Sequence, residues 1–159
     1  MSVLRARLVL LALLLLASPG VLAAQRPLRA TGVRGIDFGV VIPGIPQPVA
    51  RTDPMRSAEF EIAGPNRGDL LVSFTLPTLL TAPGGGTVPI VFGPASAGFS
   101  QSQAIGDQIA FDPAQPFAAT LGNNGRGAIF LGATLQPAAG TAAGDYSAPI
   151  TITLANVGT

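Results

Sequence analysis

Apolar and polar residues alternate one for one in several stretches of this chain, and the clearest lies near its end. In residues 145–154, Tyr146, Ala148, Ile150, Ile152 and Leu154 share one face, and Ser147, Pro149, Thr151 and Thr153 share the other. A strand points successive side chains to opposite faces, so this pattern predicts a half-buried β-strand. The branched side chains of Ile and Thr suit a pleated surface. Pro149 has no amide hydrogen to donate, which predicts a place at the margin of a sheet. A strand this strong needs a partner from earlier in the chain or from another chain.

The same period recurs upstream. Residues 35–42 put Ile36, Phe38 and Val40 on one face. Residues 57–63 alternate Ala58, Phe60 and Ile62 with Glu59 and Glu61, an inside–outside pattern. Residues 70–76 follow after the turn at 64–69, with Leu70, Val72, Phe74 and Leu76 inward, so these two runs are expected to pair as a hairpin. Residues 87–93 put Val88, Ile90 and Phe92 inward, and Pro89 on the outward face suggests an edge. Residues 108–111 and 116–121 are weaker candidates. Residues 126–135 are strong, with Ile129, Leu131, Ala133 and Leu135 on one face and Phe130 on the other. The clusters at 83–86 and 123–125 read as turns, because Gly and Asn tolerate positive φ. Residues 25–33 show little pattern and are set apart as an N-terminal arm.

About seven strands result, centred near residues 38, 60, 73, 90, 110, 131 and 150. No stretch after the leader carries a helical period. The expectation is an all-β domain over residues 34–159, built as a β-sandwich. Its candidate core is Phe38, Phe60, Phe74, Phe92, Ile129, Leu131, Ile150 and Ile152. Gly (20) and Pro (15) are abundant among the 159 residues but follow no collagen repeat, so they act as turn formers.

Composition changes the picture at the N-terminus. Arg5 and Arg7 precede an apolar run over residues 8–17, then Ser18-Pro19-Gly20 and the small residues Val21-Leu22-Ala23-Ala24. This reads as a secretion signal over residues 1–24, cut after Ala23 or Ala24. The run is short for a bilayer span, so no stable membrane span is expected once it is removed. The mature chain would be secreted, to the periplasm or the cell surface. It carries seven arginines against eight acids, a net charge of −1, which argues against a nucleic-acid partner. Without cysteine the fold must rest on its core, and a lipoprotein anchor is excluded.

Candidate chemistry is sparse. Histidine, lysine and cysteine are all absent, so Ser57, Ser73, Ser96, Ser100, Ser102 and Ser147 lack the usual activating bases. Asp37, Asp53, Glu59, Glu61 and Asp69 show no calcium-loop spacing and read as solvated faces. Glu59 and Glu61 are two same-face acids on one strand, not carboxyls set across a scissile bond. Gly84-Gly85-Gly86 lacks the lysine and the following helix of a phosphate loop. No catalytic, cofactor or metal residue is therefore assigned, and the chain is expected not to be an enzyme. Phe130, apolar on an outward face, marks a candidate partner surface. Tyr146 has the phase of a core residue.

Three stretches together carry a resemblance: Ile36-Asp37-Phe38-Gly39, Gly84-Gly85-Gly86-Thr87-Val88, and Phe130-Leu131-Gly132-Ala133-Thr134-Leu135 followed by Gly144-Asp145-Tyr146-Ser147. They resemble a family of secreted bacterial domains of unknown function, related to minor fimbrial subunits and spore-coat-U-like proteins. The resemblance spans residues 33–154. It implies an immunoglobulin-like sandwich, exported and assembled at the cell surface, with no catalytic residues. The chain departs from such relatives in lacking cysteines and a penultimate tyrosine. Its last strand looks like the sixth of a sandwich whose final strand is missing. Such an open edge would take an extended segment by strand addition. The partner would be another copy or another surface-assembly subunit. Leu28, Val33, Phe130, Tyr146, Ile150 and Ile152 are the candidate interaction residues, with residues 26–33 of a neighbour or of the same chain as the candidate donor. The alternative is a binding module that holds carbohydrate or protein through the loop at 94–106.

Overall fold

The computed structural model describes residues 26–157, so the expected secretion signal lies outside the described residues. The described chain is all-β, with strands in three open sheets. The first sheet has the order β1 (Arg29–Arg34), β3 (Ala58–Ala63), β10 (Arg126–Leu131), β7 (Ala97–Ser100), β8 (Ile109–Phe111). The second has β2 (Gln47–Val49), β11 (Ala133–Leu135), β6 (Thr87–Val91), β5 (Leu79–Thr81). The third has β12 (Thr151–Asn156), β4 (Asp69–Thr75), β9 (Phe117–Thr120). Every pairing is antiparallel.

The first and third sheets meet across the main core. Phe60 and Ile62 of β3, Phe99 of β7, and Ile129 and Leu131 of β10 pack with Leu70 and Val72 of β4 and Ala119 of β9. These are the inward positions of the alternating runs, and their burial is worth about 1.5–3 kcal/mol per large side chain. Five phenylalanines form a chain of ring contacts through this core. Phe111 and Phe117 stack at 4.1 Å between centroids, and Phe60 meets Phe74 edge-on at 5.9 Å. Of the expected core, Phe38, Phe60, Ile129 and Leu131 are buried, whereas Phe74, Phe92, Ile150 and Ile152 are half-buried against it. A second, smaller cluster lies on the second sheet, made of Val49, Leu80, Val88, Ile90, Ala133 and Leu135 with Phe38 laid over them.

Among the described residues twelve strands stand where about seven runs were expected, because one long run divides and β1, β2, β5 and β7 are strands outside the expected runs. Residues 126–135 read as one strand, but Gly132 divides them into β10 and β11. A Cβ there would strike the Val49 carbonyl and come within 2.6 Å of the Arg51 nitrogen, so only glycine lets that backbone cross. The Gly132 N–H turns aside to donate to Ser96 O at 2.8 Å. The run expected over 70–76 is β4, and β5 follows it beyond Pro77 in a different sheet.

Two expectations fail on long-range grounds. β3 and β4 do not form a hairpin: β3 pairs with β1 and β10, and β4 with β12 and β9. Their connection docks instead on the turn at 122–125, where Gly64 N donates to Gly125 O (2.9 Å) and Arg67 N to Gly122 O (3.1 Å). That carries the chain from one sheet to the facing one. Residues 35–42, expected as the first strand, join no ladder; the first strand is β1, which runs along β3 from Arg29↔Ala63 to Arg34↔Glu59 with a bulge between Gly32 and Arg34. Most of the patternless arm is thus an edge strand. Its inward residues are the small Ala30 and Gly32, opposite Ile62 and Phe60, and so left no apolar signal.

Candidate functional site: an apolar groove beside the C-terminal strand

A groove of about 970 Å³ opens between the first and second sheets. Phe60, Leu80, Val88, Ile90 and Leu135 form its floor, residues 35–43 form one wall, and residues 141–150 form the other. The first wall, and the second from residue 145 on, read as strands from their alternation, yet neither is laddered along the groove. The first wall belongs to no sheet. In the second, Ser147 makes an isolated bridge with Thr81, and regular pairing begins only at Thr151.

The first wall is a strap, fixed by its far side. Ile36 and Phe38 turn inward onto the two apolar clusters. Arg56 holds the backbone: its Nε donates to Asp37 O (3.0 Å) and its Nη2 to Phe38 O (3.1 Å), while Asp37 N donates to Arg56 O (2.9 Å). Arg56 is set in turn by Asp53, whose Oδ1 accepts from the N–H groups of Met55 and Arg56 at 2.9 and 3.0 Å. Gly39, with φ 61°, bends the strap at a value that disfavours a side chain, and its N–H donates to Asp37 Oδ1 at 2.8 Å. Beyond the bend Val40 stands 89% exposed while lining the groove. An apolar side chain held so open is the kind of surface a partner covers.

The opposite wall is fixed at one end. The Tyr146 hydroxyl donates to Ala142 O at 2.9 Å and its ring lies where a Cβ on Gly86 would stand. Ser147 and Thr81 exchange backbone bonds at 3.0 Å each way. From there β12 runs along β4, Thr151↔Thr75 through Asn156↔Leu70, and its other side carries no ladder partner among the described residues.

The groove brings together Val33, Tyr146 and Ile150 of the six candidate interaction residues. Tyr146 serves both ways: it packs on the second cluster and lines the groove. Ile152 lies further along β12, half-buried against the main core, and Leu28 packs there too. Phe130 offers no surface. Its phase is outward as expected, but it is only 2% exposed. Its cross-strand neighbour Gly98 is roofed by Arg51 and Gln108, so loops cover this face of the first sheet. Part of the expected binding loop at 94–106 is also strand β7, buried along its length.

The acids weighed as ligands act locally. Asp37 and Asp53 cap turns, Glu59 pairs with Arg34 at 3.4 Å, and Asp69 accepts from the Thr120 hydroxyl at 2.6 Å. Among the described residues no three acidic, histidine or cysteine side chains gather to hold a metal. Among them, too, no helix is long and apolar enough to cross a membrane. Sequence reasoning missed the Arg56 clamp and the groove floor. The signal for the groove was present as the apolar positions 36, 38, 40 and 42, which were read as a paired strand.

Neither a protein-family model nor a curated protein matches the chain.

Proposed function

We propose that this protein is a non-catalytic, exported structural or assembly subunit, akin to fimbrial subunits, that accepts an extended segment of another chain in its groove. On this reading the domain is an immunoglobulin-like sandwich short of its closing strand, at work in the periplasm or on the cell surface. One observation carries it: two segments that join no sheet ladder, residues 35–43 and 141–150, flank an apolar trough without a strand between them. A segment laid there would find backbone groups of Val40, Val41 and Ile150, which no ladder takes, at its sides and apolar side chains beneath. It would also cover Val40. Such augmentation draws affinity from main-chain hydrogen bonds and specificity from alternate side chains.

The reading is tested by giving the protein its own occupant. A six-residue Val/Thr alternating segment, joined to the C-terminus through a flexible Gly/Ser linker, is expected to raise Tm by roughly 4–8 °C per kcal/mol of uptake. The same residues reordered so that the valines do not alternate should leave Tm where it was. Equal melting of the two fusions and the parent protein would refute the reading.

A further inference from the structure

We propose that the segment received by the groove comes from a different protein and carries basic residues beside its apolar centre; the inference rests on the groove being a strand acceptor. Three charged residues line the groove: Arg34, Asp37 and Asp145. Arg34 is already neutralised, with Nη2 3.4 Å from Glu59 and Nε donating to Ser57 O at 2.8 Å. Asp37 and Asp145 are exposed, and among the described residues neither forms an ion pair. Arg56 lies behind the strap, where its guanidinium is directed at the carbonyls of Asp37 and Phe38. The lip thus presents two uncompensated carboxylates over a neutral floor. A segment with apolar residues at alternate positions and Lys or Arg at its flanks complements both features. An acidic flank would meet like charge, which selects against wrong partners.

Among the described residues the basic stretch suited to serve a second copy is 26–34, and it is committed. Its six-residue strand lies along β3, and Leu28 and Ala30 pack on the main core. The Leu28 side chain comes within 2.6 Å of where a Cβ on Gly64 would stand, so glycine at 64 is fitted to Leu28. Lending this strand would bare the edge of β3 and open the core at Leu28.

The sole tyrosine of the chain, Tyr146, lines the groove, and there is no tryptophan, so tyrosine emission reports on occupancy. Three peptides share one Val/Thr alternating centre and differ in flanks of Lys, Ser or Glu. Titrated into the purified protein at low salt, the Lys-flanked peptide is expected to bind about tenfold more tightly than the Glu-flanked one, as two exposed charge pairs allow. The difference should fade near 1 M salt, where the screening length is about 3 Å. In the double variant D37N/D145N the three peptides should bind alike. Glu flanks that bind as well as Lys flanks would overturn the charge assignment and leave the groove reading standing. Failure of all three peptides to bind would overturn the groove reading beneath it. A peptide of residues 26–34 that binds as tightly as the Lys-flanked one would overturn the assignment to a different protein and point to a second copy.

Discussion

β10 and β12 are both six-residue strands announced by strong alternation, and they have opposite fates. β10 is laddered on both sides, by β3 and β7, and five of its six residues are buried. β12 is laddered on one side, by β4, and none of its six is buried. The difference lies in their neighbours. Beyond β4, β12 touches β1, without a ladder, and the groove opens just before its first residue, along 141–150. An open edge with apolar side chains is a hazard for self-association, and natural sheets usually shield such edges. Here the shielding is slight: Pro149 stands just before β12, and β1 touches that strand without pairing.

The contrast predicts that damage on the β10 side unfolds the domain, whereas damage on the β12 side disables uptake and spares the fold. The largest effect is expected from Phe111→Ala. It removes a ring stacked on Phe117 at 4.1 Å and on Phe74 at 6.4 Å, and should cost about 3–5 kcal/mol in urea unfolding. Next comes Gly132→Val, which drives a side chain into the backbone of residues 49–51 and should cost at least about 1–3 kcal/mol by the same measurement. Arg56→Ala releases two bonds to the strap and should cost about 1–3 kcal/mol, with a larger loss in peptide uptake than in Tm. Tyr146→Phe removes one exposed bond to Ala142 and should change stability by no more than about 1 kcal/mol, read by circular dichroism. If Arg56→Ala unfolded the domain as readily as Phe111→Ala, the division into a closed side and an open side would fail.

The residues explain what could be read in advance. Alternation located β3, β4, β6, β10 and β12 and their inward faces, because period and burial are local properties of a half-buried strand. It misplaced the first strand. Residues 36–42 alternate because Ile36 and Phe38 do turn inward, but a ladder needs a neighbour, and that depends on the rest of the chain. β1 escaped notice since glycine and alanine suffice opposite Phe60 and Ile62. The break at Gly132 depends on backbone arriving from residues 49–51, some eighty positions earlier. Phe130 shows the same limit: its phase was legible, whereas the cover over that sheet face was not. Of the groove, Val33, Tyr146 and Ile150 were named from the sequence, while its floor and the Arg56 clamp depend on contacts between distant segments.

The bare flank of β12 is tested most directly by amide hydrogen exchange, residue by residue, in the monomer. An antiparallel edge strand turns alternate N–H groups toward its one partner and the rest toward solvent. Amides of Thr151–Ala155 should therefore alternate between slow and fast exchange, with continuous protection along β10, and an occupying peptide should slow the groove-lining amides of Val40, Val41 and Ile150. Uniform protection along β12 in the unoccupied monomer, or groove-lining amides that no tightly bound peptide slows, would contradict the account.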